Sequence, residues 1–257
     1  MNERPSVRER LAKGERCYGT MVFDLFTPAT TAVLADCGYD FAILDTEHSG
    51  VGIETIKQQI AYARGLPIEV WVRVPEKTYA AVATVLDAGA QGVMVPMLET
   101  AEEAQALVSW ARYQPEGKRG LAFGVGHDAY RGRDPQAAMA AANARNCVLG
   151  LIETRKGIEN CDAILATPGF DLGWLGHFDL TADLGCAAQW EHPDFLAAVD
   201  RLAAAGKKHK KALGSLDRNP EFVGKMAARG FTALGYGSDV AALRAAYTDG
   251  LEALKAL

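Results

Sequence analysis

Short apolar runs rich in β-branched residues recur along the chain, and longer stretches of helical periodicity separate them. The runs are CYGTMV (17–22), DFAIL (40–44), EVWVRV (69–74), QGVMV (91–95), CVLGLI (147–152), DLGWL (171–175), ALGSL (212–216) and TALGY (232–236). Continuous apolar runs of this length suit strands covered on both faces, as in a parallel sheet with helical crossovers. Eight of them predict a closed (β/α)8 TIM barrel rather than an open sheet. Eight βα units of about 32 residues fill such a chain, so residues 1–257 read as one α/β domain.

The helices carry their own punctuation. Thr27-Pro28 reads as an N-cap and first helical position with Gly38 as the stop, and Asn219-Pro220 with Gly230 repeats that signature. Thr100 and Glu103 have capping-box spacing. Ile53, Ile56, Ile60 and Ala63 form a helical stripe ended by Gly65. The stretch from Gly117 to Asn146 is too long for a plain turn. It predicts a lid or an oligomer contact leading into an Ala-rich helix over 135–146. Lys207, Lys208, Lys210 and Lys211 read as a solvated helix terminus favoured by the dipole.

Charge and composition narrow the function classes. With 27 Lys+Arg against 32 Asp+Glu the net charge is −5, which gives a nucleic-acid backbone nothing to attract it. Charge interrupts every apolar stretch before the roughly 20 residues a membrane span needs. The opening MNERPSVRER lacks the apolar core of a secretory signal. Cys17, Cys37, Cys147, Cys161 and Cys186 are odd in number and free of C-x-x-C spacing, the pattern of reduced thiols in a cytoplasmic protein.

In an α/β barrel the chemistry sits where strands end. Strand 2 ends in Asp45-Thr46-Glu47-His48, strand 3 carries Arg73, strand 5 runs into Glu153, and strand 6 into Gly176-His177-Phe178-Asp179. Each alone has a structural reading, such as a core ion pair for Arg73 or a helix cap for Asp179. Together they aim carboxylates, an imidazole and a guanidinium at one mouth. Glu153 and Asp179 suit a hard divalent cation, Mg²⁺ or Mn²⁺, whose other positions would go to water or a chelating substrate. His177 reads as loop packing or a substrate contact rather than a ligand. No lysine lies within a predicted strand, although Lys77 and Lys156 follow strands 3 and 5, so Schiff-base chemistry is disfavoured. Gly235-Tyr236-Gly237-Ser238-Asp239 reads as a turn with a Ser or Asp N-cap, the rival being an anion site at a helix start. Ser49 has no triad partners.

LDTEH, WVRV, LDAGAQGVMVPM, RYQPEGKRG, LIETRKGIEN and GHFDLTADLG occur in this order, and together they resemble the HpcH/HpaI aldolase family, the metal-dependent class II pyruvate aldolases. The resemblance runs from about Gly19 through strand 8. It implies a TIM barrel assembled as a homohexamer with a C-terminal helix swapped between neighbours. It further implies reversible aldol chemistry joining pyruvate or a relative to an aldehyde, giving 4-hydroxy-2-oxo acids. By motif match Glu153 and Asp179 take the place of the metal ligands, with Mg²⁺, Mn²⁺, Co²⁺ or Zn²⁺ in the divalent set. His48 matches the catalytic base, Arg73 the enolate-stabilising arginine, and Asp87 an aspartate paired with the base. Asp87 maps to a helix end remote from its own mouth, so it would meet His48 across a subunit interface or through a different local geometry. Gly176 and the backbone N–H of Phe178 match the contacts to the substrate carboxylate.

Two departures bear on specificity. GHFDL stands where the family often has G-P-A/N-D-L, and it resembles a branch that also accepts hydroxypyruvate. Leu151 stands where common members have Gln. The loop from Gly124 to Arg133, with His127 and Tyr130, is the expected seat of aldehyde choice. The rival readings are an acyl-CoA lyase of the citrate lyase β type, disfavoured by the lack of a basic patch for CoA phosphates, and a catalytically silent ketoacid-binding barrel, disfavoured by the presence of both His48 and Arg73.

Overall fold

The computed structural model describes residues 4–132 and 134–257. Its strands are β1 (Cys17–Val22), β2 (Phe41–Asp45), β3 (Glu69–Arg73), β4 (Gly92–Val95), β5 (Cys147–Ile152), β6 (Leu172–Leu175), β7 (Ala212–Asp217) and β8 (Ala233–Ser238). They pair in parallel, in sequence order, and β8 closes on β1. The helices are α1 (Val7–Ala12), α2 (Pro28–Asp36), α3 (Ile53–Tyr62), α4 (Tyr79–Ala88), α5 (Ala101–Ala111) and α6 (Pro135–Arg145), then α7 (Arg155–Glu159), α8 (Cys161–Leu165), α9 (His177–Asp183), α10 (Pro193–His209), α11 (Pro220–Ala228) and α12 (Asp239–Lys255). The predicted TIM barrel is therefore present, with every predicted strand within two residues of its observed bounds.

The two-residue period of a strand sorts each run into two packing layers. Ala42, Leu44, Val70, Val72, Val93 and Val148 face outward into the helix shell. Phe41, Ile43, Trp71, Met94, Leu149, Leu151 and Trp174 fill the barrel. Phe41 stacks on Trp71 with ring centroids 4.2 Å apart, and a Cβ on Gly92 would sit 2.6 Å from the Trp71 ring, so glycine makes room for the indole. The same inward columns continue upward to Asp45 on β2, Arg73 on β3 and Glu153 just past β5. That alternation is what aims polar side chains at the mouth.

At the opposite end α1 plugs the barrel. Val7 and Leu11 join the interior cluster, and the Val7 N–H donates to Glu69 Oε1 at 2.9 Å. The charged N-terminal sequence gave little sign of this helix, because only two of its residues are buried.

Local expectations divide. Thr100 Oγ1 accepts the Glu103 N–H at 3.2 Å, but Glu103 turns to the Glu99 N–H and to Lys77, so only half of the capping box forms. Thr27 starts α2 without a side-chain cap, whereas Asn219 caps α11. Ile56, Ile60 and Ala63 are buried as predicted, while Ile53 stays exposed. Lys208 and His209 end α10 against Asp162, as a solvated terminus would, whereas Lys211 is half-buried and donates to the Phe170 carbonyl at 2.5 Å.

The stretch after α5 is not a lid on the mouth of its own barrel. Its 3₁₀ turn, Gly126–Asp128, lies against the C-terminal end of α4, where a Cβ on Gly126 would strike the Ala88 carbonyl. Arg64, just past α3, donates to the Gly126 carbonyl at 3.1 Å. Helices of a parallel barrel end beside the strand starts, so this segment sits at the end remote from the mouth. The helix α6 appears where predicted, packed by Arg112 and Arg8 onto its last carbonyls. Among the described residues no helix is long and apolar enough to cross a membrane.

Candidate active site

Asp45 and Arg73 are register neighbours on β2 and β3, both pointing inward and both buried. Arg73 Nε donates to Asp45 Oδ1 at 2.6 Å and its Nη1 lies 3.0 Å from Glu47 Oε2. Two carboxylates thus fix the plane of the guanidinium, and the Phe23 ring lies 5.9 Å from it. Asp45 also organises the turn that follows. Its Oδ2 accepts the His48 N–H at 2.9 Å, its Oδ1 the Glu47 N–H at 3.2 Å, and its carbonyl the Ser49 hydroxyl at 2.5 Å. Ser49 is thereby a turn residue and not a nucleophile. The turn leaves His48 60% exposed, with Nε2 3.5 Å from Glu47 Oε2. Burial pushes the Glu47 carboxyl up, with Arg73 and His48 opposing.

Across the mouth, Glu153 is buried and accepts the Met97 N–H on Oε1 at 2.7 Å. Met97 presents that N–H from a left-handed backbone, φ 54°, a costly conformation for a non-glycine residue. A Cβ on Gly176 would collide with the Glu153 carboxylate, so only glycine allows β6 to turn this close to it. Burial pushes the Glu153 carboxyl up to about 7. The negative charges of Asp179 and Glu47 push the same way, against the Met97 N–H and Arg73. Asp179 lies in the first turn of α9, exposed, and has no hydrogen bond or ion pair among the described residues.

The chemistry of this donor set can be tested against a cation. Among the described residues no three His, Cys, Asp or Glu side chains gather into a metal cluster, so Glu153 and Asp179 are the available pair. Both offer hard oxygens, neither is in ion-pair contact with a basic side chain, and one is buried at an unfavourable pKa. That combination fits a hard divalent ion completed by water or substrate oxygens, and not a structural zinc.

The other predicted positions fall as follows. His177 Nε2 lies 2.9 Å from Asp217 Oδ2, and the ring packs among Phe178, Trp190 and Phe222. Burial lowers its pKa, with Asp217 opposing. It is a packing residue under α9, turned away from the mouth. Phe178 stands 57% exposed on the rim, edge-on to Trp190. Lys77 is held by Glu103 and the Met97 carbonyl, and Lys156 by Glu99; no strand contains a lysine. Asp87, at the end of α4, pairs with Arg119 at 2.5 Å and does not meet His48 within this chain. His127 is buried between Tyr113 and the Ala122 carbonyl, and Tyr130 lies over Arg64, both remote from this mouth. The expected acceptor loop is therefore not part of the site its own chain builds. Arg133 lies outside the described residues.

Sequence reading placed three further residues without finding their roles. Asp45 and Glu47, as clamps of Arg73, were legible only through the inward column that Phe41, Ile43 and Asp45 share. The third is Asp239. Ser238 caps α12, as the cap reading of Gly235–Asp239 required, but the Asp239 carboxylate does something else. It accepts the N–H groups of Phe23, Asp24 and Leu25 at 3.0, 3.0 and 2.7 Å, and so pins the loop after β1.

A closed parallel barrel with a clamped guanidinium, an exposed imidazole and unpaired carboxylates at its mouth defines a TIM-barrel enzyme. Comparison with known proteins narrows the class. The sequence profile of the HpcH/HpaI aldolase/citrate lyase family matches residues 20–246. The chain is 35% identical over 204 residues to the hydroxypyruvate/pyruvate aldolase of Roseobacter denitrificans, covering 78% of this chain and 79% of the relative. It is 34% identical over 221 residues to the 5-keto-4-deoxy-D-glucarate aldolase of Salmonella paratyphi C, covering 86% of each. The crystal structure of an HpcH/HpaI aldolase from Desulfitobacterium hafniense superposes with a TM-score of 0.93 at 28% identity, covering 99% of this chain and 98% of that one. The chain belongs to the HpcH/HpaI aldolase/citrate lyase family and is a carbon–carbon lyase of the aldolase type.

Proposed function

We propose that the chain is a divalent-cation-dependent aldolase that joins pyruvate or hydroxypyruvate to an aldehyde, and cleaves the resulting 4-hydroxy-2-oxo acid. The observation that carries this reading is the mouth itself, where Arg73 is clamped by Asp45 and Glu47 opposite the unpaired carboxylates of Glu153 and Asp179. Glu153 and Asp179 would hold Mg²⁺ or Mn²⁺, which when bound supplies Lewis-acid polarisation of the keto group. Arg73 presents a fixed positive charge to the C2 oxygen as negative charge develops there. His48 accepts the C3 proton of the ketoacid, directly or through water, from an exposed position near a carboxylate. C3 of the enolate then attacks the aldehyde carbon, and the alkoxide formed takes up a proton. Cleavage runs the same steps backward. Gly176 and the Phe178 N–H, at the start of α9, suit the substrate carboxylate.

Assembly belongs to the same proposal. None of the residues of α12 is buried, and Leu243, Tyr247, Leu251 and Leu254 share one exposed face, with Tyr247 74% and Leu254 65% exposed. Such a face supports a homohexamer with α12 exchanged between neighbours. Asp87 would then reach His48 of another copy, leaving its partner Arg119. All five cysteines are free, which supports a reducing, cytoplasmic setting.

Proton exchange tests the chemistry before the aldehyde is known. In D₂O the chelator-stripped protein with added Mg²⁺ or Mn²⁺ should erase the pyruvate methyl signal, or the C3 signal of hydroxypyruvate. His48→Ala should abolish this exchange, and Arg73→Lys should lose most of it because an ammonium lacks the planar fork. Exchange by neither ketoacid would reject the enolate mechanism.

A further inference from the structure

At the end of the barrel opposite the mouth a cleft of about 810 Å³ opens between α1, the turn leading into β3, the 3₁₀ turn and α6. Five arginines and four carboxylates line it, in a chain whose net charge is −5. The two sets are only partly matched to each other: Glu9 accepts the Ser6 N–H and Asp128 the Gly124 N–H. Asp40 is taken by Arg4 and Arg10, and Glu69 is taken by the Val7 N–H and by Trp71 Nε1 at 3.1 Å. Arg64, Arg131 and Arg145 have no ion-pair partner among the described residues, although all three line the cleft.

Arg145 is the informative one. It projects from the last turn of α6, and its contacts are Asn146 Oδ1 at 3.4 Å and the His127 carbonyl at 3.5 Å, both at the limit of a hydrogen bond. Burial lowers its pKa, with Glu69 opposing and Arg119 adding to the fall. A half-buried guanidinium with no carboxylate in direct contact costs stability. Arg64, by contrast, is exposed but oriented, by its bond to the Gly126 carbonyl and by the Tyr130 ring 4.9 Å from its guanidinium. Unsatisfied forks converging on one concave space are the arrangement that recognises planar or tetrahedral oxyanions.

We propose that this cleft is a second binding site, separate from the mouth, for a small metabolite carrying a multiply charged oxyanion, either phosphate or clustered carboxylates. Arg145 and Arg64 form its charged walls. Binding makes or breaks no covalent bond.

Calorimetric titration of the full chain with pyrophosphate and, separately, with citrate tests it. The titrations use chelator-treated Glu153→Gln protein, so that a cation at the mouth cannot capture either anion. At least one probe should bind with a submillimolar Kd, and Arg64→Gln and Arg145→Gln should each weaken it about tenfold or more. Excess pyruvate should not displace it. The better-bound probe tells phosphate from carboxylate recognition. Absence of binding by both probes at millimolar concentration overturns the proposal, as does binding that neither arginine change weakens. Should Arg145→Gln fail to fold, the exposed Arg64→Gln decides alone.

Discussion

The two ends of this barrel handle charge in opposite ways. At the strand starts, Arg112 is fully buried yet donates to the Asn143 and Asn146 carbonyls and pairs with Asp171 at 2.5 Å. Asp171 in turn accepts from Arg8 Nε and from the Val148 N–H, each at 2.8 Å. At the mouth, Glu153 has one backbone donor and two carboxylates pressing on it, and Asp179 has no partner among the described residues. A buried charge that serves the fold is surrounded by its complements, whereas one kept for chemistry is left wanting a ligand. By that measure Arg145, which lacks the carboxylate partner that Arg112 has at the same end, belongs with the mouth residues.

The largest effect should come from breaking the satisfied end. Asp171→Ala strands Arg112 in the interior and removes the partner of Arg8. We expect a loss of about 3–5 kcal/mol, seen as a fall of roughly 10 °C in the melting temperature. A fall of only a degree or two would mean that the Arg112 network contributes little and that the contrast between the ends is false.

The mouth should respond with the opposite sign. The folded pKa of Glu153, about 7, lies above its ordinary value of 4.5, so the folded state binds the proton more tightly than the unfolded chain. Stability without cation therefore falls as pH rises from 4.5 through 7, by about 3 kcal/mol in all. Glu153→Gln keeps the acceptor for the Met97 N–H and removes the charge. In chelator it should melt higher than the parent above pH 7, and the difference should vanish below pH 4.5, while proton exchange on pyruvate is lost. A variant no more stable than its parent at pH 8 would contradict the strained carboxylate.

How far the sequence reveals this contrast depends on the distance over which each residue acts. The strands were legible because doubly covered parallel strands are apolar throughout, and Glu153, Arg73 and His48 because a strand end is a place in sequence as well as in space. The partners of these residues were harder to see. Asp171 meets Arg112 and Arg8 from far along the chain, and nothing local marks it as the hub. The stretch from Gly117 to Asn146 looked like a lid or an oligomer contact because its length is local, while the seat of its 3₁₀ turn against α4 and Arg64 is tertiary. The helix α1 was hidden because the two residues it buries, Val7 and Leu11, are outnumbered by arginines and glutamates.

The smallest predicted effect concerns a device at the mouth that resembles those at the other end. Asp239 offers one carboxylate to three consecutive backbone N–H groups, those of Phe23, Asp24 and Leu25, and Phe23 is the ring that lies near Arg73. These groups are partly solvent-exposed, so water can replace a lost acceptor at modest cost. Asp239→Ala should therefore destabilise by only about 1–2 kcal/mol. Its functional trace should be more specific. With the loop untied, Phe23 no longer screens the guanidinium from water, and the charge of Arg73 counts for less where the enolate forms. Pyruvate exchange should slow several-fold under saturating ketoacid, and Asp239→Asn, which keeps an acceptor oxygen, should recover part of the rate. If both variants exchange at the parent's rate, the loop clamp serves only the fold, and Asp239 belongs with Asp171 despite its position at the mouth.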